Sequence, residues 1–504
     1  MENKLAIIGI DSLDPNLLLN YKKDLPNFSK LMDSSHTFLS KPVFPADTIP
    51  CWASIYTGLN PANHGLLYIY DIFDPNLSDL KKLNIDLIKG RAFWDFVGME
   101  GYKTTILFPQ LMYPPWKVNG IMISKSNFDV RLDWMKTESE VKYSPEDAQK
   151  DYDIPKKIKN LWGGFPGEKN LYNWAELGKT ILKQDEDLAM NIYQKSKWDL
   201  FFVYFNILDL IQHRTWRYSD INDPTYPGNT KMQKIILDYY ILFDALIGRF
   251  MDSNPDLSFM ILSDHGHKMR PIKTININEY LRKLGYVVIK GKNKKILNNI
   301  RKISLNVLNK LNIEHIAIKI VTLSPKITQL SKSAYSSSGY VEADQSIATL
   351  SHFAGIKSYS YGGIEINRDL ISDQEYDKVR HQLIDELIKL NETSEEPIIR
   401  CVKKREEVYE GKYIDRIFPD LVFDLETEYC VGWDLFTDLL GKSYDHNVAS
   451  GGHANRAVLL TKNINRDISD RNISLIDVAP SILDHYGINS RKIEFDGKSI
   501  FKSN

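Results

Sequence analysis

Three short runs without a charged residue constrain this chain most: Leu5–Ile10, Leu200–Phe205 and Leu257–Leu262. Each runs into polar residues. Leu5–Ile10 meets Asp11, Leu200–Phe205 meets Asn206 and Asp209, and Leu257–Leu262 meets Asp264 and His265. Apolar runs of this length, with no polar alternation, read as strands buried on both faces of a parallel sheet. Helical patterns fall between them, at Pro26–Met32, Trp52–Tyr56, Ala92–Gly98, Leu177–Gln194 and Ile235–Met251. The alternation predicts an α/β fold: a mostly parallel central sheet sandwiched by helices, with inserted cap segments. Ligands of such sheets gather outside the carboxyl ends of the strands. Asp11, Asp209, Asp264 and His265 fall there.

The residue types at those ends suit a cation. Asp209 and His213 stand four apart, so on a helix both side chains share one face. Asp264 and His265 are adjacent and converge only if the chain turns, which Gly266 would permit. His453 lies in Ser450-Gly-Gly-His-Ala-Asn455, before an expected strand at Ala457–Leu460. Carboxylate and imidazole together suit zinc, and manganese less exclusively. A hydroxyl joins them: Thr48 is expected to cap a short helix, with Pro50 in its first turn and Gly58 as its stop. The N–H groups of that turn can take the threonine oxygen or a phosphoryl oxygen. His64 and His267 read as loop anchors.

Two stretches interrupt the pattern, about 129–176 and 268–362. The first is an insertion within a core segment 1–267; the second is a partly basic cap or lid insertion at 268–362, followed by a second core segment 363–504. Within the cap, Lys290–Lys332 holds ten Lys or Arg and one acid, Glu314. Ile296, Ile300, Leu305, Leu308 and Leu311 recur near helical spacing there. Three readings stay open for it: a solvated helix, a lid over an anionic substrate, or a surface for acidic lipid head groups.

A net charge of −1 gives no general reason to expect a nucleic-acid partner. No run is long and apolar enough to span a bilayer. Cys51, Cys401 and Cys430 are too few and scattered for a disulfide framework, so reduced thiols and a cytoplasmic protein are expected.

The chain resembles the alkaline phosphatase superfamily, in its type I phosphodiesterase/nucleotide pyrophosphatase-like branch. The resemblance rests on Gly9-Ile-Asp11, Pro45-Ala-Asp-Thr-Ile-Pro50, Thr57-Gly58, His64-Gly65, Asp209-x-x-x-His213, Ser263-Asp-His-Gly266 and Gly452-His453. Pro419-Asp-Leu-Val422, Ile476–Leu483 and Asp496-Gly-Lys498 extend it. It implies a metal-dependent hydrolase of phosphate esters with Thr48 as nucleophile. Two divalent ions are implied, zinc with manganese as the alternative. One would be held by Asp209, His213 and His453, the other by Asp11, Asp264 and His265, with Thr48 facing both. The substrate implied is a small anionic ester: a nucleotide, a sugar phosphate or a lipid head group.

One departure stands out. The family's usual Asn soon after His-Gly is missing from Leu66–Asp71, where Tyr68 or Tyr70 could donate instead. The alternatives are a phosphomonoesterase, a phosphonate hydrolase or a phosphotransferase of the same superfamily, and an inactive binding protein.

Overall fold

The computed structural model describes residues 4–67, 87–126, 138–161, 167–290, 340–351, 353, 359–443, 445–464, 466–468, 472–489 and 493–502. Tyr68, Tyr70 and the basic stretch from 291 to 332, with Lys292, Lys294 and Lys295, lie outside them. The described residues fall into two compact units. One draws on the described residues of 4–67, 87–269 and 453–502, the other on those of 270–452.

The first unit is built on nine strands: β1 (Leu5–Ile10), β2 (Leu39–Ser40), β3 (Thr104–Leu107), β4 (Gly120–Lys125), β5 (Glu138–Ser144), β6 (Lys157–Lys159), β7 (Leu200–Phe205), β8 (Ser258–Leu262) and β9 (Ala457–Lys462). Their order is β2-β9-β8-β1-β7-β3-β4-β5-β6. The five central strands, β8-β1-β7-β3-β4, run parallel, and the flanking pairs are antiparallel. All six residues of β1 and all six of β7 are buried, as a strand covered on both faces requires. Side chains of β7 alternate between the faces. Phe201, Val203 and Phe205 join a core with Tyr239 and Phe243 of the Ile235–Ser253 helix. Phe202 and Tyr204 meet Trp52 on the opposite face, at ring separations of 6.3 and 4.9 Å.

The helices expected from apolar spacing are all present, as Pro26–Ser34, Thr48–Thr57, Phe93–Met99, Glu168–Lys195 and Ile235–Ser253. The stretch at 129–176, expected to be an insertion, is described in part. Its described part supplies β5 and β6, which extend the sheet edge, and the start of the Glu168–Lys195 helix.

The second unit has its own core. A four-stranded antiparallel sheet runs in the order Ala348–Leu350, Tyr361–Ile366, Leu421–Leu425, Ile399–Lys404. Ile364, Leu383, Leu387 and Phe423 are fully buried within it. Its Asp373–Thr393 helix starts at a capping box, in which the Ser372 and Glu375 side chains each accept the other's backbone N–H. The chain returns to the first unit at His453. The weak alternation of the second unit's strands resembles any half-buried sheet, and nothing local marks which core they join.

Candidate active site

Thr48 opens its helix rather than capping it. Asp47 holds the cap position, with extended dihedrals (φ −132°, ψ 151°) and its carbonyl accepting the Cys51 N–H at 3.1 Å. The difference matters chemically. A capping oxygen would be turned back on the helix, whereas Thr48 Oγ1 lies 3.2 Å from His265 Nε2. Glycine sets the depth of this helix: a Cβ on Gly9 of β1 would sit 2.5 Å from Trp52 Cη2, so only glycine lets that indole lie against the strand.

The other six candidate residues assemble into two clusters in the same unit. Asp209 and His213 project from one face of the Ile207–Ser219 helix, with Asp209 Oδ1 3.2 Å from His213 Nε2 and 3.5 Å from His453 Nε2. The Nε2 atoms of His213 and His453 meet at 3.0 Å. In the second cluster His265 Nε2 lies 3.2 Å from Asp264 Oδ2 and 3.8 Å from Asp11 Oδ1. Within each trio the potential ligand atoms are all within 4.8 Å of one another. The stacked rings of His265 and His453, 3.8 Å apart, join the two.

Asp264 and His265 converge as expected, but Gly266 serves for another reason. It already belongs to an extended strand, Gly266–Met269, and a Cβ there would fall 2.3 Å from Asp14 Oδ2. Close approach, not turning, excludes a side chain.

The proton positions favour a cation. His453 Nδ1 faces the Ala46 carbonyl at 3.1 Å and His265 Nδ1 faces the Gly266 carbonyl at 3.1 Å. A carbonyl only accepts, so each Nδ1 carries the hydrogen and each Nε2 turns its lone pair inward. Burial holds both imidazoles below their ordinary pKa, which keeps them neutral. Burial, then the charges of Asp264 and Asp209, pushes Asp11 up, and burial pushes Asp264 up. Burial would also raise Asp209, but His213 and His453 overcome it and hold its carboxyl low. Asp11 Oδ1, Asp264 Oδ2 and Asp209 Oδ1 are buried and accept no hydrogen bond. Carboxylate oxygens without hydrogen-bond partners, gathered with imidazole nitrogens in two trios, are donor sets that fit divalent cations.

Sequence reading missed the groups that orient these side chains. The Tyr204 hydroxyl donates to Asp11 Oδ2 from 193 positions away. Ser12, with a positive φ of 62°, donates its backbone N–H to Asp264 Oδ1 at 3.1 Å. His267 anchors a loop as expected, its Nδ1 2.7 Å from Ser12 Oγ, but it also stands 3.7 Å from Asp209 Oδ1. His64 is a loop anchor too, accepting the Leu66 N–H at Nδ1 and meeting Ser54 Oγ through Nε2.

Residues 5–451 match the sequence profile of type I phosphodiesterase / nucleotide pyrophosphatase. The chain belongs to that family, as its likeness to the alkaline phosphatase superfamily implied. The mouse ectonucleotide pyrophosphatase/phosphodiesterase 5, solved as an inactive threonine-to-alanine variant in complex with AMP, has a similar fold. It shares 14% identity over 99% of this chain and 98% of that one, with a TM-score of 0.50. The human ectonucleotide pyrophosphatase/phosphodiesterase 5 shares 15% identity over 98% of this chain and 97% of that one, at a TM-score of 0.50.

Proposed function

We propose that this chain is a metal-dependent phosphodiesterase or nucleotide pyrophosphatase that uses Thr48 as its nucleophile. The observation carrying this reading is the position of Thr48 Oγ1, 3.2 Å from His265 Nε2 at the head of a helix whose first N–H groups lack intrahelical partners. One cation would be held by Asp209, His213 and His453, the other by Asp11, Asp264 and His265. Zinc suits these mixed donor sets, with manganese next. Divalent cations there supply positive charge that makes the threonine hydroxyl more acidic and offsets the charge developing on phosphoryl oxygens.

Thr48 Oγ1 attacks phosphorus, the ester oxygen opposite it leaves with the electron pair of the broken P–O bond, and the proton lost by the threonine is returned through solvent to that leaving oxygen. The phosphothreonine so formed is hydrolysed by water, which returns the threonine and frees the phosphomonoester. Backbone N–H groups at the start of the Thr48–Thr57 helix hold a non-bridging oxygen through both steps.

Nucleotides lead the substrate classes, on the family and on AMP in the mouse relative. We assign the basic segment 290–332 the task of attracting such anions.

The test is hydrolysis of bis-p-nitrophenyl phosphate against p-nitrophenyl phosphate by wild type and Thr48→Ala, after chelation and readdition of Zn²⁺ or Mn²⁺. Diester turnover that needs both the metal and Thr48 is expected. Faster monoester turnover would point to a phosphomonoesterase. No turnover of either ester with metal bound would point to a phosphonate hydrolase or a phosphotransferase.

A further inference from the structure

Three strands adjacent in the sheet, β9, β8 and β1, carry ligand-bearing loops at one edge, and all three loops meet at a single carboxylate. Asp14 lies three residues beyond Asp11 and is fully buried. Its Oδ1 accepts the N–H groups of Asn16 and Leu17 at 2.9 and 3.1 Å, which caps the Pro15–Asn20 helix. Its Oδ2 does something a cap does not require. It accepts the His267 N–H at 2.9 Å, two residues beyond His265, and Arg456 Nε at 2.7 Å, three residues beyond His453. Arg456 then donates from Nη2 to the His267 carbonyl at 2.8 Å, so the guanidinium grips both loops.

We infer that the Asp14–Arg456 pair is a positioning device that fixes the separation of the two carboxylate–imidazole clusters. The inference rests on the two-cation reading above and adds to it. A cap would need only Oδ1. A surface ion pair would leave the arginine free to move, whereas here the planar fork is satisfied by two partners on different loops. Gly266 is part of the arrangement, because a side chain there would displace Asp14 Oδ2. Loss of the fork would let His265 and His453, now stacked at 3.8 Å, drift apart.

The experiment measures Zn²⁺ affinity of metal-stripped protein by competition with a chromophoric chelator, for wild type, Arg456→Met, Arg456→Lys and Asp14→Asn. Thermal melts and the Co²⁺ absorption spectrum are recorded for each. Arg456 is 32% exposed at its side chain, so its variants are expected to melt cooperatively. Arg456→Met is expected to weaken Zn²⁺ binding about tenfold to a hundredfold and to change the Co²⁺ spectrum. Arg456→Lys keeps the charge but cannot reach both partners, and is expected to fall between. A merely stabilising role would lower the melting temperature while leaving the affinity and the spectrum at wild-type values. That result in any folded variant overturns the inference. Wild type that takes up no Zn²⁺ overturns both this inference and the two-cation reading, whereas wild-type affinity in the variants overturns this inference alone.

Discussion

The two clusters hold the same three-ligand count but solve opposite electrostatic problems. Asp209 is flanked by His213 and His453, and that cluster is partly open, with the His213 side chain 17% exposed. Asp11 and Asp264 share the second cluster with one imidazole, and all three are buried. Their carboxyls are pushed up, by burial and for Asp11 also by Asp264, while that of Asp209 is held down by its histidines. The open cluster sets two imidazoles around one carboxylate, whereas the deep cluster crowds two carboxylates beside one imidazole, and it is the deep one that Thr48 touches.

The largest expected effect follows from that contact. Thr48→Ala should lower kcat at least about a thousandfold while both clusters keep their Zn²⁺, measured as turnover and metal content of the same preparation. Retained turnover would detach the nucleophile from the deep cluster. Next, Asp264→Asn should weaken Zn²⁺ binding by more than about a hundredfold, beyond the usual cost of losing an outer partner. Asp209→Asn should cost less, because two imidazoles remain at that cluster. Equal losses would erase the contrast.

Gly9→Ala tests the backbone supporting the deep side. Trp52 must move to admit the methyl, so a loss of about 1–3 kcal/mol in denaturant unfolding is expected, with a lower kcat. On the substrate side, neutralising Lys292, Lys294 and Lys295 should raise KM for anionic esters about threefold to tenfold, with kcat unchanged. An unchanged kcat/KM for every anionic ester would remove the basic segment from the account.

The smallest effect comes from a histidine outside both clusters. Burial lowers His64 from 6.5 to about 3. The unfolded chain then binds a proton below pH 6.5 that the folded chain refuses, so stability is full above 6.5 and is lost as pH falls toward 3. His64→Gln should remove about 1 kcal/mol of the stability difference between pH 7.5 and 5.5. An unchanged difference would assign the acid sensitivity to the clusters instead.

Much of the candidate site was legible because its acidic and imidazole residues sit where apolar strand runs end. Asp11 follows β1 directly, Asp264 and His265 follow β8 after one serine, and the four-residue spacing of Asp209 and His213 gives one helix face. What stayed hidden depends on long-range contacts. Tyr204 looks like one more strand residue until the sheet sets it beside Asp11. Asp14 and Arg456 look like a helix cap and a surface cation 442 positions apart. The cap position was misjudged by one residue, since Asp47 and Thr48 both favour helix starts. The extent of the second unit is not legible in the sequence, because half-buried strands carry no label of the core they join.

Metal content tests the central claim most directly. Zn²⁺ per chain should be two in refilled wild type and one in Asp264→Asn, with the remaining ion lost only when Asp209 is also replaced. One ion in wild type, or two in Asp264→Asn, would contradict a pair of separate clusters around Thr48.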